Sequence, residues 1–397
     1  MTLSNATFKQ NPHSLLVVPG PIEVSDAVLL SNASASVSHV SPDFVQIFKK
    51  TLSMILEVLY APQTAQPFVI AGSGTLGWDL TAANLIEQGE LALVLNNGYF
   101  GDSFQDCLET YGATVEKVQA QLGHTVTPDQ LATHLEKAKS EKKSYKLITI
   151  THCDTSTGVL ADAKALAEVI QKHSPQSLII LDAVCSVASE EIRFEKWGLD
   201  MVLTASQKGL GCPPGLCICV ASERAIKVFE ERKSRPGSYY ASWKKWLPVM
   251  KAYQSGSAAY FATPPTNLIT ALLTSLDSIL KSSPSLEERF ELHKKSSDRI
   301  KKAVDGLGLK QVPVNPGSSA HGMTAVYLPD GITPAEVVGK MSAKGLVIAG
   351  GLHKDVKDRY IRIGHMGITA VDKERGDVDR IVQSLNESFK DLGFQAS

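Results

Sequence analysis

At 397 residues the chain is long enough for more than one domain and a large buried core. Its 43% hydrophobic and 20% charged content excludes a disordered chain, and a net charge of −1 leaves no basic surplus for nucleic acid or an anionic membrane. No apolar run approaches the ~20 residues of a membrane span.

The first elements are an arm and a helix. Residues 15–18 are a short apolar run stopped by the rigid loop Pro19-Gly20-Pro21. Ser41-Pro42 opens an amphipathic helix in which Phe44, Ile47, Phe48, Leu52, Ile55, Leu56 and Leu59 share a face. Residues 67–71 read as a strand, Gly72-Ser73-Gly74-Thr75-Leu76-Gly77 as a glycine turn, and 78–87 as a helix. That order offers free backbone N–H groups to a phosphate. It also matches G-x-G-x-x-G, but the next strand, 91–95, ends in Asn96-Asn97-Gly98 with no acid to hold a ribose. The phosphate is therefore kept and the dinucleotide set aside, a tight turn without ligand being the other reading. Tyr99 and Phe100 follow, where an aromatic can stack on a planar ring or simply serve the core. Residues 102–111 form a helix, and Thr127-Pro128-Asp129-Gln130 is a capping box for another.

The next three strands end in chemistry. Residues 147–151 lead into His152-Cys153-Asp154-Thr155-Ser156-Thr157-Gly158, either a grip for a cofactor's ring oxygen or a polar loop before the helix 161–172. Residues 178–181 end in Asp182. Residues 200–209 are an apolar run that ends in small polar residues, Lys208 and Gly209. An ammonium at a buried strand tip is costly, so burial should lower its pKa and free the amine as a nucleophile, the requirement for a Schiff-base lysine. Alone, Lys208 is also a solvated loop lysine and Asp182 a cap. Together, about 25 residues apart, they suit pyridoxal phosphate: the lysine holds the aldehyde, and the carboxylate keeps the pyridine nitrogen protonated.

A return strand at 215–221 and a helix at 223–233 follow. Residues 235–263 read as irregular and hold Tyr239, Tyr240, Trp243, Trp246, Tyr253, Tyr260 and Phe261, which points to a functional or interface segment. After the helix 266–281, Ser282-Ser283-Pro284-Ser285 marks a boundary before the helix 286–305. Strands at 324–328, 346–349 and 360–364, a helix from Thr333-Pro334 and a closing helix at 372–391 form a second α/β unit. Arg362, between two isoleucines, can offer its fork to a substrate carboxylate or make a surface ion pair. The expected organisation is α/β: an arm (1–21), a large cofactor-binding domain (22–283) with a mostly parallel mixed sheet, and a small C-terminal α/β domain (284–397). In such sheets ligands bind beyond the carboxyl ends of the strands, where the glycine turn, Thr155, Asp182 and Lys208 all fall.

The six cysteines (107, 153, 185, 212, 217 and 219) include no C-x-x-C pair, and no histidine stands at ligand spacing from the 212–219 group. They read as reduced thiols, with no metal site. Residues 1–12 lack the apolar core of a secretory signal and contain no arginine, and Gln395-Ala396-Ser397 is not the peroxisomal tripeptide. The expectation is an intracellular, cytoplasmic protein, with the mitochondrion as the alternative.

Taken together, Pro19-Gly20-Pro21, Gly72-Ser73-Gly74-Thr75, Asn97-Gly98-Tyr99-Phe100, Thr151-His152, Ser156-Thr157-Gly158, Asp182-Ala183-Val184, Ala205-Ser206-Gln207-Lys208, Tyr260-Phe261-Ala262-Thr263-Pro264 and Arg362-Ile363-Gly364 give the chain a family likeness. It resembles the class V aminotransferases of the fold-type I pyridoxal-phosphate enzymes, nearly end to end, and most of all the fungal members acting on alanine and glyoxylate. The resemblance implies a homodimer that moves the amino group of L-alanine to glyoxylate by a ping-pong mechanism, giving pyruvate and glycine. Serine–glyoxylate or serine–pyruvate transfer is the nearest rival. A cysteine desulfurase would have histidine where this chain has Gln207, and a dinucleotide oxidoreductase or a scaffold are the readings from other classes. The resemblance further implies that Lys208 carries the cofactor and Asp182 pairs with its ring nitrogen. Val184 and Phe100 would cover the two ring faces, and Thr155 would meet the ring hydroxyl. Ser73, Gly74, Thr75 and Gln207 would hold the phosphate, with Tyr260 and Thr263 reaching it from the neighbouring subunit, and Arg362 would bind the substrate carboxylate. Two departures stand out: animal members have histidine in place of Thr75 and tryptophan in place of Phe100.

Overall fold

The computed structural model describes residues 8–394. Most of the N-terminal stretch judged for a targeting signal, and the terminal Gln395-Ala396-Ser397, lie outside the described residues. Seven strands form the main sheet: β1 (Gln66–Ala71), β2 (Leu91–Asn96), β3 (Thr114–Gln119), β4 (Tyr145–Thr151), β5 (Leu178–Asp182), β6 (Met201–Ala205) and β7 (Leu216–Ala221). Their order is β1-β7-β6-β5-β4-β2-β3, and only β7 runs against the rest. The central strands are apolar throughout because helices cover both faces of a parallel sheet, and every residue of β5, β6 and β7 is buried. Register does the rest. Thr151 stands opposite Asp182, and Asp182 opposite Leu203, so the tips of β4, β5 and β6 share one rim.

The helix Pro42–Val58 starts where Ser41 accepts the Phe44 N–H, and it buries Phe44, Phe48, Leu52 and Ile55 in the core around this sheet. A second core gathers Leu15, Val17, Ile300, Val304, Ile361, Ile363, Ile381, Leu385 and Phe389. Its sheet is β8 (Met323–Tyr327), β9 (Ala349–Gly350) and β10 (Tyr360–Gly364), antiparallel, with β10 in the middle. Leu15–Leu16 pairs in parallel with Leu346–Val347, so the arm is stitched to the C-terminal unit. The helix Leu286–Gly306 joins the two cores: Leu286 packs in the first, Ile300 and Val304 in the second.

Four local expectations change. The segment 235–263 is not irregular throughout: it contains the helix Trp243–Ser255, which buries Trp243, Trp246, Leu247, Met250 and Tyr253 at helical spacing. Pro248 inside that helix hid the period. The edge strand β3 was not anticipated, because charge on both of its faces breaks the apolar pattern: Lys117 pairs with Asp102 at 2.8 Å and, on the opposite face, Glu116 with Lys143 at 2.7 Å. The strand at 346–349 is two two-residue pieces with different partners. The closing helix begins at Asp377, after a short 3-10 turn at Lys373–Arg375. Among the described residues, no helix is long and apolar enough to cross a membrane.

Candidate active site

Ser73, Gly74, Thr75, Phe100, Thr155, Asp182, Val184, Gln207 and Lys208 line one cavity of about 300 Å³ at the carboxyl rim of the main sheet. Lys208 lies three residues beyond β6 and is only 8% exposed, and its ammonium donates to the Pro19 carbonyl. The loop from the arm approaches so closely that a Cβ on Gly20 would come within 2.5 Å of the lysine side chain. Gly20 also has φ +107°, so two independent demands keep a side chain out of that position.

Asp182 closes β5 and is 4% exposed. One of its oxygens accepts the Trp78 indole N–H at 2.8 Å and the other the Val184 N–H at 3.1 Å. Burial pushes its carboxyl up to about 6, against the pull of those two donors and of the Lys208 ammonium, while the nearby Asp154 pushes the same way as burial. The site thus holds an acid poised to ionise and a primary amine on one wall.

The glycine turn ends at Gly74, and the helix Thr75–Leu85 begins there without a side-chain cap. Among the described residues, none of the N–H groups of Ser73, Gly74 and Thr75 donates to a protein group, which leaves a helix N-terminus open to an anion. Two further polar atoms on the cavity wall, Thr151 Oγ1 and Gln207 Oε1, are buried with no partner among the described residues.

Arg362 does not line the cavity itself. From β10 it reaches the same wall, donating through Nη1 to the Thr155 carbonyl at 3.1 Å and through Nε to the Gly350 carbonyl at 2.8 Å. Two residues earlier on the same strand face, the buried Tyr360 hydroxyl donates to the Ser156 carbonyl and accepts the N–H groups of Leu352 and His353 at 2.8 and 2.9 Å. Tyr360 and Arg362 therefore tie the tip beyond β4 to the loop after β9. Burial lowers the Arg362 pKa, yet a guanidinium stays charged across any working pH.

Tyr260 and Thr263 are not brought to the cavity of their own chain. Tyr260 is 66% exposed and packs against His39, and Thr263 is exposed as well. Other residues of the site escaped the reading of the sequence. Trp78 looked like the first residue of a helix. Tyr360 looked like one apolar position in an alternating strand. Cys153 and Cys185 also line the cavity. A signal existed for Trp78: a tryptophan one turn into a buried helix needs an acceptor for its N–H, and Asp182 was the acid within reach of the same strand ends. His152 is a structural peg. It is fully buried with Nδ1 3.0 Å from Ser186 Oγ, and burial depresses its pKa to about 4.

An open α/β sheet with a lysine and an acid on adjacent strand tips, beside a helix N-terminus without a side-chain cap, is the architecture of a pyridoxal-phosphate enzyme. The chain belongs to the class-V aminotransferases, whose family profile matches residues 24–363. It is 44% identical over 368 residues to alanine–glyoxylate aminotransferase 1 of Saccharomyces cerevisiae, covering 90% of this chain and 93% of the relative. It is 28% identical over 359 residues to L-aspartate–glyoxylate aminotransferase of Paracoccus denitrificans, covering 90% and 87%. Among solved structures, the alanine–glyoxylate aminotransferase of Nostoc sp. superposes with a TM-score of 0.86 at 25% identity, covering 98% of each chain. The family works with pyridoxal 5′-phosphate, and the cavity fits it. Free N–H groups await a phosphate, Thr151 and Gln207 present orphaned polar atoms, an acid with its orientation fixed can face a ring nitrogen, and a lysine can hold an aldehyde. The dinucleotide reading of the glycine turn is thereby replaced.

Proposed function

We propose that this chain is an alanine–glyoxylate aminotransferase, moving the amino group of L-alanine to glyoxylate and giving pyruvate and glycine, a route to glycine biosynthesis. The observation that carries the proposal is the 44% identity, spread over 90% of the chain, to a yeast enzyme of that name. The cavity supports it. Among the described residues no arginine lines it, and Arg362 reaches its wall through Thr155, which suits substrates with one carboxylate beside the reacting carbon.

In this reading the bound cofactor supplies an electron sink for the substrate's α-carbon. Lys208 would hold the cofactor, and its amine, when free, would take and return the proton of the substrate α-carbon. Asp182 places its charge against the ring nitrogen. Val184 and Phe100 pack on the ring, and Thr155 meets the ring hydroxyl. Ser73, Gly74, Thr75 and Gln207 hold the phosphate. Arg362 anchors the carboxylate of both amino donor and oxo acid. Tyr260 and Thr263 complete the phosphate site of a second copy, so the working unit is a homodimer with shared sites. The arm (1–21), large domain (22–283) and small domain (284–397) are its parts. The unpaired cysteines of the described chain favour a cytoplasmic location.

Turnover of purified enzyme with alanine and glyoxylate should exceed that with glutamate and 2-oxoglutarate. The reverse order would refute the assignment, and faster turnover with serine than with alanine would move the donor to serine.

A further inference from the structure

We propose that Trp78 is a positioning residue for this reaction: its indole N–H fixes the Asp182 carboxylate and keeps it charged. The inference rests on the reading that Asp182 faces the cofactor's ring nitrogen. The contact is short and dry, with Nε1 2.8 Å from Asp182 Oδ2 and Trp78 only 6% exposed. With the Val184 N–H on the other oxygen, each carboxylate oxygen has one donor, from two different elements. Rotation of the carboxylate would break both bonds.

The helix is built to bring the indole there. A Cβ on Gly77 would lie 2.9 Å from Leu203 on β6, so the helix can press onto the sheet only with glycine at that position. The third glycine of the turn therefore serves close helix–strand packing. Trp78, next in the chain, is held by the Phe104 ring at 5.5 Å and 19° and by the edge of Phe100 at 6.3 Å and 60°. One aromatic cluster thus connects the acid to Phe100, the ring placed on the cofactor.

The chemistry needs this donor. A protonated Asp182 cannot stabilise a proton on the ring nitrogen, and burial already moves its carboxyl up to about 6. The titratable groups around it are Lys208, whose charge favours the carboxylate, and Asp154 and Cys219, which do not offset burial. Without the indole N–H the carboxyl would rise further and be partly neutral near pH 7.

The test is the affinity of the apo-enzyme for pyridoxal phosphate, by equilibrium dialysis from pH 5 to 8.5, for wild type, Trp78→Phe and Asp182→Asn. Losing a hydrogen bond to a charged group should raise the Asp182 carboxyl by about one pH unit or more. The affinity ratio of wild type to Trp78→Phe should then grow from near unity at pH 8.5 to about tenfold at pH 5, because only the protonated fraction must ionise on binding. Protonation of the cofactor itself cancels in that ratio. A ratio that is the same at every pH would make Trp78 a packing residue only and overturn the proposal. Wild-type affinity in Asp182→Asn would instead refute the role of Asp182, a separate failure. A second measurement needs no Trp78 variant. Of the four indole N–H resonances of the apo-enzyme, one should titrate near pH 6 in wild type and none in Asp182→Asn. Four resonances that do not move with pH would also overturn the proposal.

Discussion

The rim of the main sheet and the aromatic segment at 235–263 carry parts of the same proposed site and are finished to different degrees. On the rim, Asp182 and Lys208 are buried and bonded within one chain, their places set by strand register. In the segment, Trp243, Trp246 and Tyr253 are buried by a helix, whereas Tyr239 and Tyr260 are 74% and 66% exposed. Large aromatic faces left in water are surface that another protein can cover. The difference teaches that one chain can bury and bond the groups on a sheet rim while leaving aromatic surface elsewhere uncovered.

The strongest test of the rim is Lys208→Ala. Turnover should fall to background while some cofactor stays bound through the phosphate contacts, and an active variant would break the assignment. Next is Arg362→Ala, which removes the half-buried guanidinium proposed to anchor the substrate carboxylate. A loss of roughly 2–4 kcal/mol corresponds to about 30-fold or more in KM. The loss should fall on alanine and glyoxylate alike, since both present a carboxylate to one site, and steady-state kinetics with each substrate varied in turn would expose a one-sided effect.

The segment is tested by complementation. If the proposed sharing holds, Lys208→Ala spoils the site that contains it, and Tyr260→Phe with Thr263→Ala spoils the site that borrows those residues. In a mixed dimer both defects fall on one site and the other is native. About half of wild-type activity per mixed dimer should return, as independent sites require. Recovery of none would place Tyr260 and Thr263 in their own chain's site and dissolve the contrast between the two regions.

The smallest expected effect concerns what the rim costs the fold. The Asp182 carboxyl lies above its ordinary value, so burying its charge opposes folding. The penalty is absent below about pH 4, grows as pH rises through about 6, and is complete above that. A shift from 3.8 to about 6 amounts to at most about 3 kcal/mol. Apo Asp182→Asn should therefore melt a few degrees above the apo wild type at pH 8, with the gap closing toward pH 5. A gap that does not change with pH would assign the effect to packing.

Much of this was legible before any fold was known. Continuous apolar runs that end in Asp182 and Lys208 mark buried parallel strands, because a strand covered on both faces tolerates nothing else until its tip. Ser41-Pro42 and Thr127-Pro128-Asp129-Gln130 marked helix starts through local hydrogen bonds that need no tertiary partner. The charges of β3 and Pro248 in the helix Trp243–Ser255 misled for the opposite reason: each element is held by neighbours far along the chain, which override local pattern.

What the sequence by itself determined, then, is the kind of each strand tip: an acid here, an amine there, a glycine turn beside them. That these tips meet was decided by tertiary structure, because Thr151, Asp182 and Leu203 come level only through interstrand register. So was the indole of Trp78 on Asp182, 104 residues apart in the chain and 2.8 Å apart in space. A one-dimensional pattern records which side chains a strand presents. The distance between two of them depends on how closely the helices and strands that carry them can pack, and here that distance is governed by a glycine that lets one helix lie against the sheet.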